Sequence, residues 1–183
     1  KVCLVDGVYD DAYNRALQLR EEKGYTFVHP FDDEDVIAGQ GTIGLEIVQE
    51  INDIDAVIVP IGGGGLISGV ACAIKSMNPS IKVYGVQAAG APSMFNSVRA
   101  GSVGCLDNVS TIADGIAVKQ PGEHTFELVQ RYVDDIALVT EDEISSAILA
   151  LIEKQKMIAE GAGAVSVAAA MFRKFPIEGK RVV

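Results

Sequence analysis

Thirteen residues constrain this chain more than any others: positions 57–69 read Val-Ile-Val-Pro-Ile-Gly-Gly-Gly-Gly-Leu-Ile-Ser-Gly. Residues 56–59, Ala-Val-Ile-Val, have the length and β-branched composition of a buried parallel strand. Pro60 cannot go on donating to a central ladder, and four consecutive glycines follow, Gly62, Gly63, Gly64 and Gly65. Residues 66–77 then read as a largely buried helix. Ordering a glycine costs about 0.5–1 kcal/mol relative to alanine, so four in a row call for a use. Bare N–H groups at the start of a helix, on its positive dipole end, form a cradle for an anion and suit a phosphate best. A turn that merely brings two elements close needs one or two glycines.

Neither standard nucleotide loop fits. For a P-loop, Gly64 and Gly69 have the spacing, but Val70 and Ala71 stand in place of the lysine and the hydroxyl. For a dinucleotide loop begun at Gly62 or Gly63, the third glycine falls on Ile67 or Ser68, and no acid lies in residues 84–87 to hold a ribose. Upstream, Gly39-Gln40-Gly41-Thr42-Ile43-Gly44 matches Gly-x-Gly-x-x-Gly letter for letter, in the wrong context. A Rossmann loop follows its strand directly, whereas the strand expected at 26–28 ends eleven residues before Gly39. These glycines are expected to let a helix over 35–49 pack closely on its neighbours.

Composition narrows the class. With 183 residues, 49% of them hydrophobic, the chain has ample material for a core. A net charge of −10 speaks against nucleic-acid or anionic-membrane partners. Three cysteines without C-x-x-C spacing suit a reducing, cytoplasmic setting, and two distant histidines make a structural zinc site a poor fit. Lys1 is no initiator, and the chain runs straight into a strand expected at 2–5 and closes in another at 181–183. An internal piece of a longer enzyme is the expectation.

Along the chain, helices are expected at 10–23, closed by Gly24, and at 93–100 and 125–132, with strands at 81–87 and 136–139. The acidic run 32–35 reads as a helix cap, by Asp32 or Asp33, and not as a hard-metal site. Thr140-x-x-Glu143 is a capping box that opens a long helix to about residue 158, and a small-residue helix follows over 165–172. The alternation gives an α/β fold: a three-layer, mainly parallel sheet with helices on both faces, and ligands beyond the carboxyl ends of its strands.

Four stretches occur in a telling order: Ala38-Gly39-Gln40-Gly41-Thr42-Ile43-Gly44-Leu45-Glu46, Pro60-Ile61-Gly62-Gly63-Gly64-Gly65-Leu66, Ala113-Asp114-Gly115 and Glu160-Gly161-Ala162-Gly163-Ala164. Together, and over essentially the whole chain, they resemble the threonine dehydratases (threonine ammonia-lyases) of the fold type II pyridoxal-phosphate enzymes. The resemblance implies that Gly62, Gly63, Gly64, Gly65 and Leu66 hold the phosphate of pyridoxal 5′-phosphate; from its place in the first turn of the helix, the Ser68 hydroxyl is expected as a further donor. It implies that Glu160 lies near the cofactor ring and that Gly115 borders the same pocket. It also implies a dehydration and deamination of threonine or serine, in isoleucine biosynthesis or threonine catabolism, by a homodimer or homotetramer. Residues 1–33 would belong to a small substrate-side domain and 34–183 to the cofactor-binding domain.

Serine racemases are near relatives of the same pattern. A non-catalytic phosphate-ligand domain and an incomplete nucleotide-binding oxidoreductase are the readings from other classes. The chain also departs from the family. Its Ser-x-Lys-x-Arg-Gly stretch, with the Schiff-base lysine, has no counterpart here, nor have its Ser-x-Gly-Asn and Ser-Gly-Gly-Asn stretches. No catalytic residue is therefore assigned in this chain, and the isolated chain is expected to be inactive. Gln87 and Ser93 stand where some relatives carry metal-binding acids, so no metal is expected. A Cβ on Gly64 is expected to clash with the phosphate or forbid a positive φ, weakening cofactor retention more than the fold.

Overall fold

The computed structural model describes residues 2–7 and 9–183. Its centre is a parallel sheet of β1 (Ala56–Pro60), β2 (Lys82–Ala88) and β3 (Asp135–Val139), in that spatial order. Val57 stands opposite Val83, and Val86 opposite Ala137. On the outer side of β1, Val182 bridges Ala56 in parallel and the Ile58 N–H donates to the Val183 carbonyl at 2.8 Å, so the closing residues lie along the same sheet through one isolated bridge and not as the full strand expected.

Side chains alternate across a strand, and here both faces are apolar. Val57, Val59 and Val83 face α3 (Gly65–Met77), α4 (Ser93–Ala100) and α5 (Glu123–Tyr132), whose Ile67, Ile74, Met94 and Val129 fill that layer. Ala56, Ile58, Tyr84 and Val86 face α6 (Glu141–Ala150) and α7 (Gly161–Met171), with Ile144, Val165 and Ala168. The Tyr84 ring stacks on Phe175, their centroids 4.3 Å apart. Helices on both faces of a parallel sheet give the three layers expected.

Outside α3 lies α2 (Glu34–Glu50), capped by Asp33, which accepts from the Asp35 and Val36 amides at 3.0 and 3.1 Å. The Gly-x-Gly-x-x-Gly run is inside this helix, and its glycines serve packing. A Cβ on Gly44 would lie 2.8 Å from the Val70 carbonyl oxygen, and one on Gly41 would lie 3.2 Å from that of Gly69.

Three further expectations need correction. Residues 2–5 and 25–29 form no strand, and Val2 and Leu4 are 83% and 91% exposed. Their β-branched and apolar composition has no neighbouring ladder among the described residues, and a strand exists only through its partners. The helix between them, α1 (Tyr9–Lys23), does form and ends at Gly24 with φ +70°. The α6 helix stops short of 158: it widens into a π-helical turn, Leu151–Gln155, and Lys156 turns left-handed at φ 59°. Finally, α7 starts at Gly161 and not at 165, because its first turn lies against residues 112–113, where a Cβ on Gly161 would be 2.5 Å from the Ile112 oxygen. Among the described residues, no helix is long and apolar enough to cross a membrane.

Candidate functional site

The glycine loop leaves the carboxyl end of β1 and runs into the first turn of α3. Gly64 is the N-cap of that helix with φ +104°, a conformation that L side chains avoid. The amides of Gly62, Gly63, Gly64, Gly65 and Leu66 have no acceptor among the described residues, and the first intrahelical bond begins at the Ser68 N–H, donated to the Gly64 carbonyl at 3.0 Å. A row of free donors at a helix start is what an anion site requires.

The loop lines a cavity of about 500 Å³. All seven residues singled out in the sequence border it: Gly62, Gly63, Gly64, Gly65 and Leu66 from the loop, Gly115 from a 3₁₀ turn at Asp114–Ile116, and Glu160 from the N-cap of α7. Gly115 and Glu160 are neighbours, since a Cβ on the glycine would lie 3.4 Å from a carboxylate oxygen of Glu160. That carboxylate makes no hydrogen bond within the described residues and is free to meet a ligand. The segment leading into the turn is held at two points. The Ile112 N–H donates to Glu141 at 2.8 Å, and the Ser110 N–H to the Gly90 carbonyl at 3.0 Å. Tyr9 and Phe31 complete the wall, and burial, with help from Tyr13 and Asp10, pushes the Tyr9 hydroxyl up to about 12, so it stays protonated. No lysine is among the described lining residues. A larger cavity of about 560 Å³ on α2, α3 and α5 is walled mainly by Ile37, Ala38, Leu45, Ala73 and Leu128 and offers no comparable row of amides.

Close approach accounts for all four glycines, which sequence reasoning allowed for only one or two. A Cβ would lie 3.1 Å from the Ile116 Cα at Gly62, 2.5 Å from the Phe31 ring at Gly63, 2.7 Å from the Thr125 Cβ at Gly64 and 2.8 Å from the Phe31 Cβ at Gly65. At Gly64 the expected positive φ is present, but the added atom would meet Thr125 and Met94 of the protein itself. Ser68 also differs from expectation: its buried hydroxyl donates to the Thr125 carbonyl at 3.3 Å and is turned away from the cavity.

Gln87, where an acid was sought, is a fully buried neutral cross-link. It accepts from the Phe95 N–H at 2.7 Å and donates to the Ile61 carbonyl at 3.2 Å. Among the described residues, no three His, Cys, Asp or Glu side chains are placed to share a metal ion.

Sequence reasoning missed Asp32 and Thr125. Asp33 alone caps α2, which leaves Asp32 free to cap α5 from a distance, accepting from the Glu123 and Thr125 amides at 3.0 Å each. The one available signal was the pair of adjacent aspartates, of which a single helix uses one.

A family model described as pyridoxal-phosphate dependent enzyme matches residues 1–183. The L-threonine ammonia-lyase of Thermotoga maritima is 55% identical over 182 residues, covering 100% of this chain and 45% of that protein. The catabolic L-threonine dehydratase of Escherichia coli K12 is 48% identical over 166 residues, covering 91% of this chain and 50% of that protein. Among solved structures, the processed form of threonine deaminase isoform 2 from Solanum lycopersicum matches with a TM-score of 0.91 at 43% identity, covering 100% of this chain and 54% of the other. Maize serine racemase matches with a TM-score of 0.90 at 34% identity, covering 100% and 56%. The chain spans about half the length of the curated relatives it matches.

Proposed function

Because this chain belongs to the pyridoxal-phosphate dependent enzymes, we propose that the whole protein removes water and then ammonia from L-threonine or L-serine, giving 2-oxobutanoate or pyruvate, and that these residues anchor its cofactor. One observation carries the reading. The unpaired amides of Gly62 to Leu66 open on the same cavity as Gly115 and Glu160.

The residues fit the group. A phosphate dianion needs several donors and a favourable potential, and the loop offers both at the N-terminus of α3. Leu66 and the four glycines would hold the phosphate, while Gly115 and the unpaired Glu160 carboxylate would border the ring. When bound, pyridoxal phosphate supplies the electron sink for the substrate Cα. This chain binds and orients the cofactor, and Phe31 and Tyr9 wall off that side of the cavity. The lysine that would bond the cofactor is assigned to the half of the relatives' length that this chain does not span, in keeping with a cavity whose described lining holds none.

The division into a small domain, 1–33, and a cofactor domain, 34–183, belongs to the same proposal. Its support is that no residue of α1 is buried. A homodimer or homotetramer is likewise proposed on the resemblance, and a cytoplasmic setting on the three unpaired cysteines; sedimentation of the whole protein tests the assembly.

The function is tested on the full-length protein. Release of 2-oxo acid from threonine and serine should depend on added pyridoxal phosphate, and excess inorganic phosphate should compete with reconstitution. Borohydride reduction followed by peptide mapping should label no lysine of these 183 residues. Stoichiometric label on one of them, or a rate indifferent to the cofactor, overturns the assignment. Serine racemisation is measured alongside, because the likeness to maize serine racemase makes it the competing outcome.

A further inference from the structure

The carbonyl oxygen of Gly63 is captured twice by α5. It accepts the Thr125 hydroxyl at 2.6 Å and the Gly122 N–H at 3.2 Å. Thr125 has a second acceptor within reach, the Gly122 carbonyl, but at 3.2 Å. The shorter contact takes the proton. Thr125 is completely buried, so no water competes for its hydroxyl. Its backbone is fixed as well, because its N–H donates to Asp32 Oδ1 at 3.0 Å while the Glu123 N–H donates to Oδ2 of the same carboxylate at 3.0 Å. Gly122 has no side chain to cap its helix, and none would fit: a Cβ there would lie 2.2 Å from Asp32 Oδ1. The aspartate does the capping from more than 90 residues away.

This arrangement bears on the loop amides through the geometry of one peptide unit. The peptide between Gly63 and Gly64 is planar and trans, so its C=O and N–H point in opposite directions. Tying the Gly63 carbonyl to α5 therefore turns the Gly64 N–H away from α5, on the side of the cavity that Gly64 lines. A glycine–glycine peptide has little of its own to resist a flip, which would exchange the donor for a carbonyl oxygen and set a negative dipole against an anion.

We infer that Thr125, held by Asp32, is a positioning residue for the anion cradle: its hydroxyl fixes the Gly63–Gly64 peptide with the Gly64 N–H presented to the phosphate. The inference rests on the reading of the Gly62–Leu66 loop as the phosphate site. Neither residue touches the cofactor or the substrate in this scheme. They preorganise a donor, and the cost of removing them falls on binding.

The test uses the full-length protein, with affinity for pyridoxal phosphate measured by equilibrium dialysis and for inorganic phosphate by competition. Thr125→Val keeps the shape and removes the donor. It is expected to lower affinity for both probes about tenfold to a hundredfold, the worth of one amide-to-phosphate bond. Thr125→Ser restores the donor and should return both affinities to within about threefold of wild type, which loss of packing alone would not allow. Asp32→Asn keeps the side-chain shape and one acceptor, and is expected to fall between them; it decides the matter if Thr125→Val does not fold. The rate at saturating cofactor should change less than the affinity. Wild-type affinity for both probes in folded Thr125→Val, or no recovery in Thr125→Ser, overturns this inference while leaving the loop as the phosphate site. A wild-type protein that binds neither probe overturns the reading of the loop itself, and this inference with it.

Discussion

Phe31 is seated against Gly63 so closely that a Cβ on the glycine would lie 2.5 Å from three atoms of the ring. The same phenylalanine covers Gly65, but there its own Cβ, Cα and carbonyl oxygen are the near atoms, at 2.8, 2.9 and 3.0 Å. A ring can turn, although this one packs edge-on to His29 with centroids 4.6 Å apart; a main chain can only be displaced. Gly63→Ala is therefore expected to cost about 1–3 kcal/mol and Gly65→Ala the upper end of that range or more. Urea denaturation checks the order. Phe31→Leu should relieve Gly63→Ala in a double mutant and leave Gly65→Ala unrelieved. Equal costs for the two glycines, or full relief of both, would show that Phe31 is not what excludes the side chains.

Gly64 is a different case, because its φ of +104° is costly for any L residue and its added Cβ would meet the Thr125 Cβ at 2.7 Å and the Met94 Cε at 2.8 Å. The sequence led to the expectation that Gly64→Val would weaken cofactor retention far more than the fold. The structure directs the new atoms into the packing between α4 and α5, so both should suffer. Gly64→Ala is expected to lower stability by roughly 2–4 kcal/mol, from left-handed backbone strain and overpacking together. Thermal or urea denaturation without cofactor measures this directly. A variant as stable as wild type would contradict the backbone geometry described here.

Sequence and structure agree where physics is local. The strands β1, β2 and β3 and the helices α3, α4 and α5 were legible because short β-branched runs, apolar periodicity and glycine stops act within a few residues. The capping box at Thr140 formed as written, with the Glu143 N–H donating to the Thr140 hydroxyl at 3.3 Å and the Thr140 N–H to Glu143 at 2.8 Å. Illegible was whatever depends on distant partners. Residues 2–5 have the composition of a strand, yet no neighbour among the described residues completes them. Asp32 reaches α5 across more than 90 residues, and Thr125 reaches Gly63 across 62, separations that no periodicity encodes. The placing of Gly115 and Glu160 around one cavity came from the order of motifs, since neither residue signals its neighbour by spacing.

His29 offers a pH-dependent check on the segment that carries Phe31 and Asp32. Its Nδ1 accepts from the Asp32 N–H at 2.8 Å and the Phe31 N–H at 3.3 Å, which only a neutral ring protonated at Nε2 can do. Burial holds its pKa below the ordinary 6.5, against the opposing pull of the Asp32 and Asp33 carboxylates. The folded state thus prefers the neutral form, so the contribution to stability is fully present above pH 6.5 and is lost as pH falls through the unfolded value toward the lower folded one. The ring is only partly buried, so solvent screening keeps the loss below the worth of a single net hydrogen bond. Nitrogen-15 chemical shifts of the imidazole should report the Nε2–H tautomer at pH 7 and a midpoint below 6.5. A midpoint above that value would mean that the turn is held in another way.

Glu160 separates a stabilising role from a functional one. It is exposed, and its carboxylate has no hydrogen-bond partner among the described residues. Replacing it should therefore leave stability within about 0.5 kcal/mol of wild type, the usual range for a surface substitution that breaks no specific contact. If it borders the cofactor as proposed, Glu160→Gln in the full-length protein should nonetheless lower the rate at saturating pyridoxal phosphate, and Glu160→Ala should do so at least as strongly. Gly115→Ala probes the same carboxylate from its neighbour. The new Cβ would lie 3.1 Å from the Ala162 Cβ, a tight contact that calls for a shift of a few tenths of an ångström, and 3.4 Å from Glu160 Oε1, an ordinary van der Waals distance. Such a shift should cost no more than about 1–2 kcal/mol of stability while moving the first turn of α7, whose N-cap is Glu160, and the carboxylate with it. The joint outcome is a pair of folded, cofactor-binding variants with impaired turnover. The check is steady-state release of 2-oxo acid, set beside the cofactor absorbance of each variant. Wild-type turnover in Glu160→Gln would remove Glu160 from the site, and wild-type turnover in Gly115→Ala alone would show that the carboxylate tolerates the displacement.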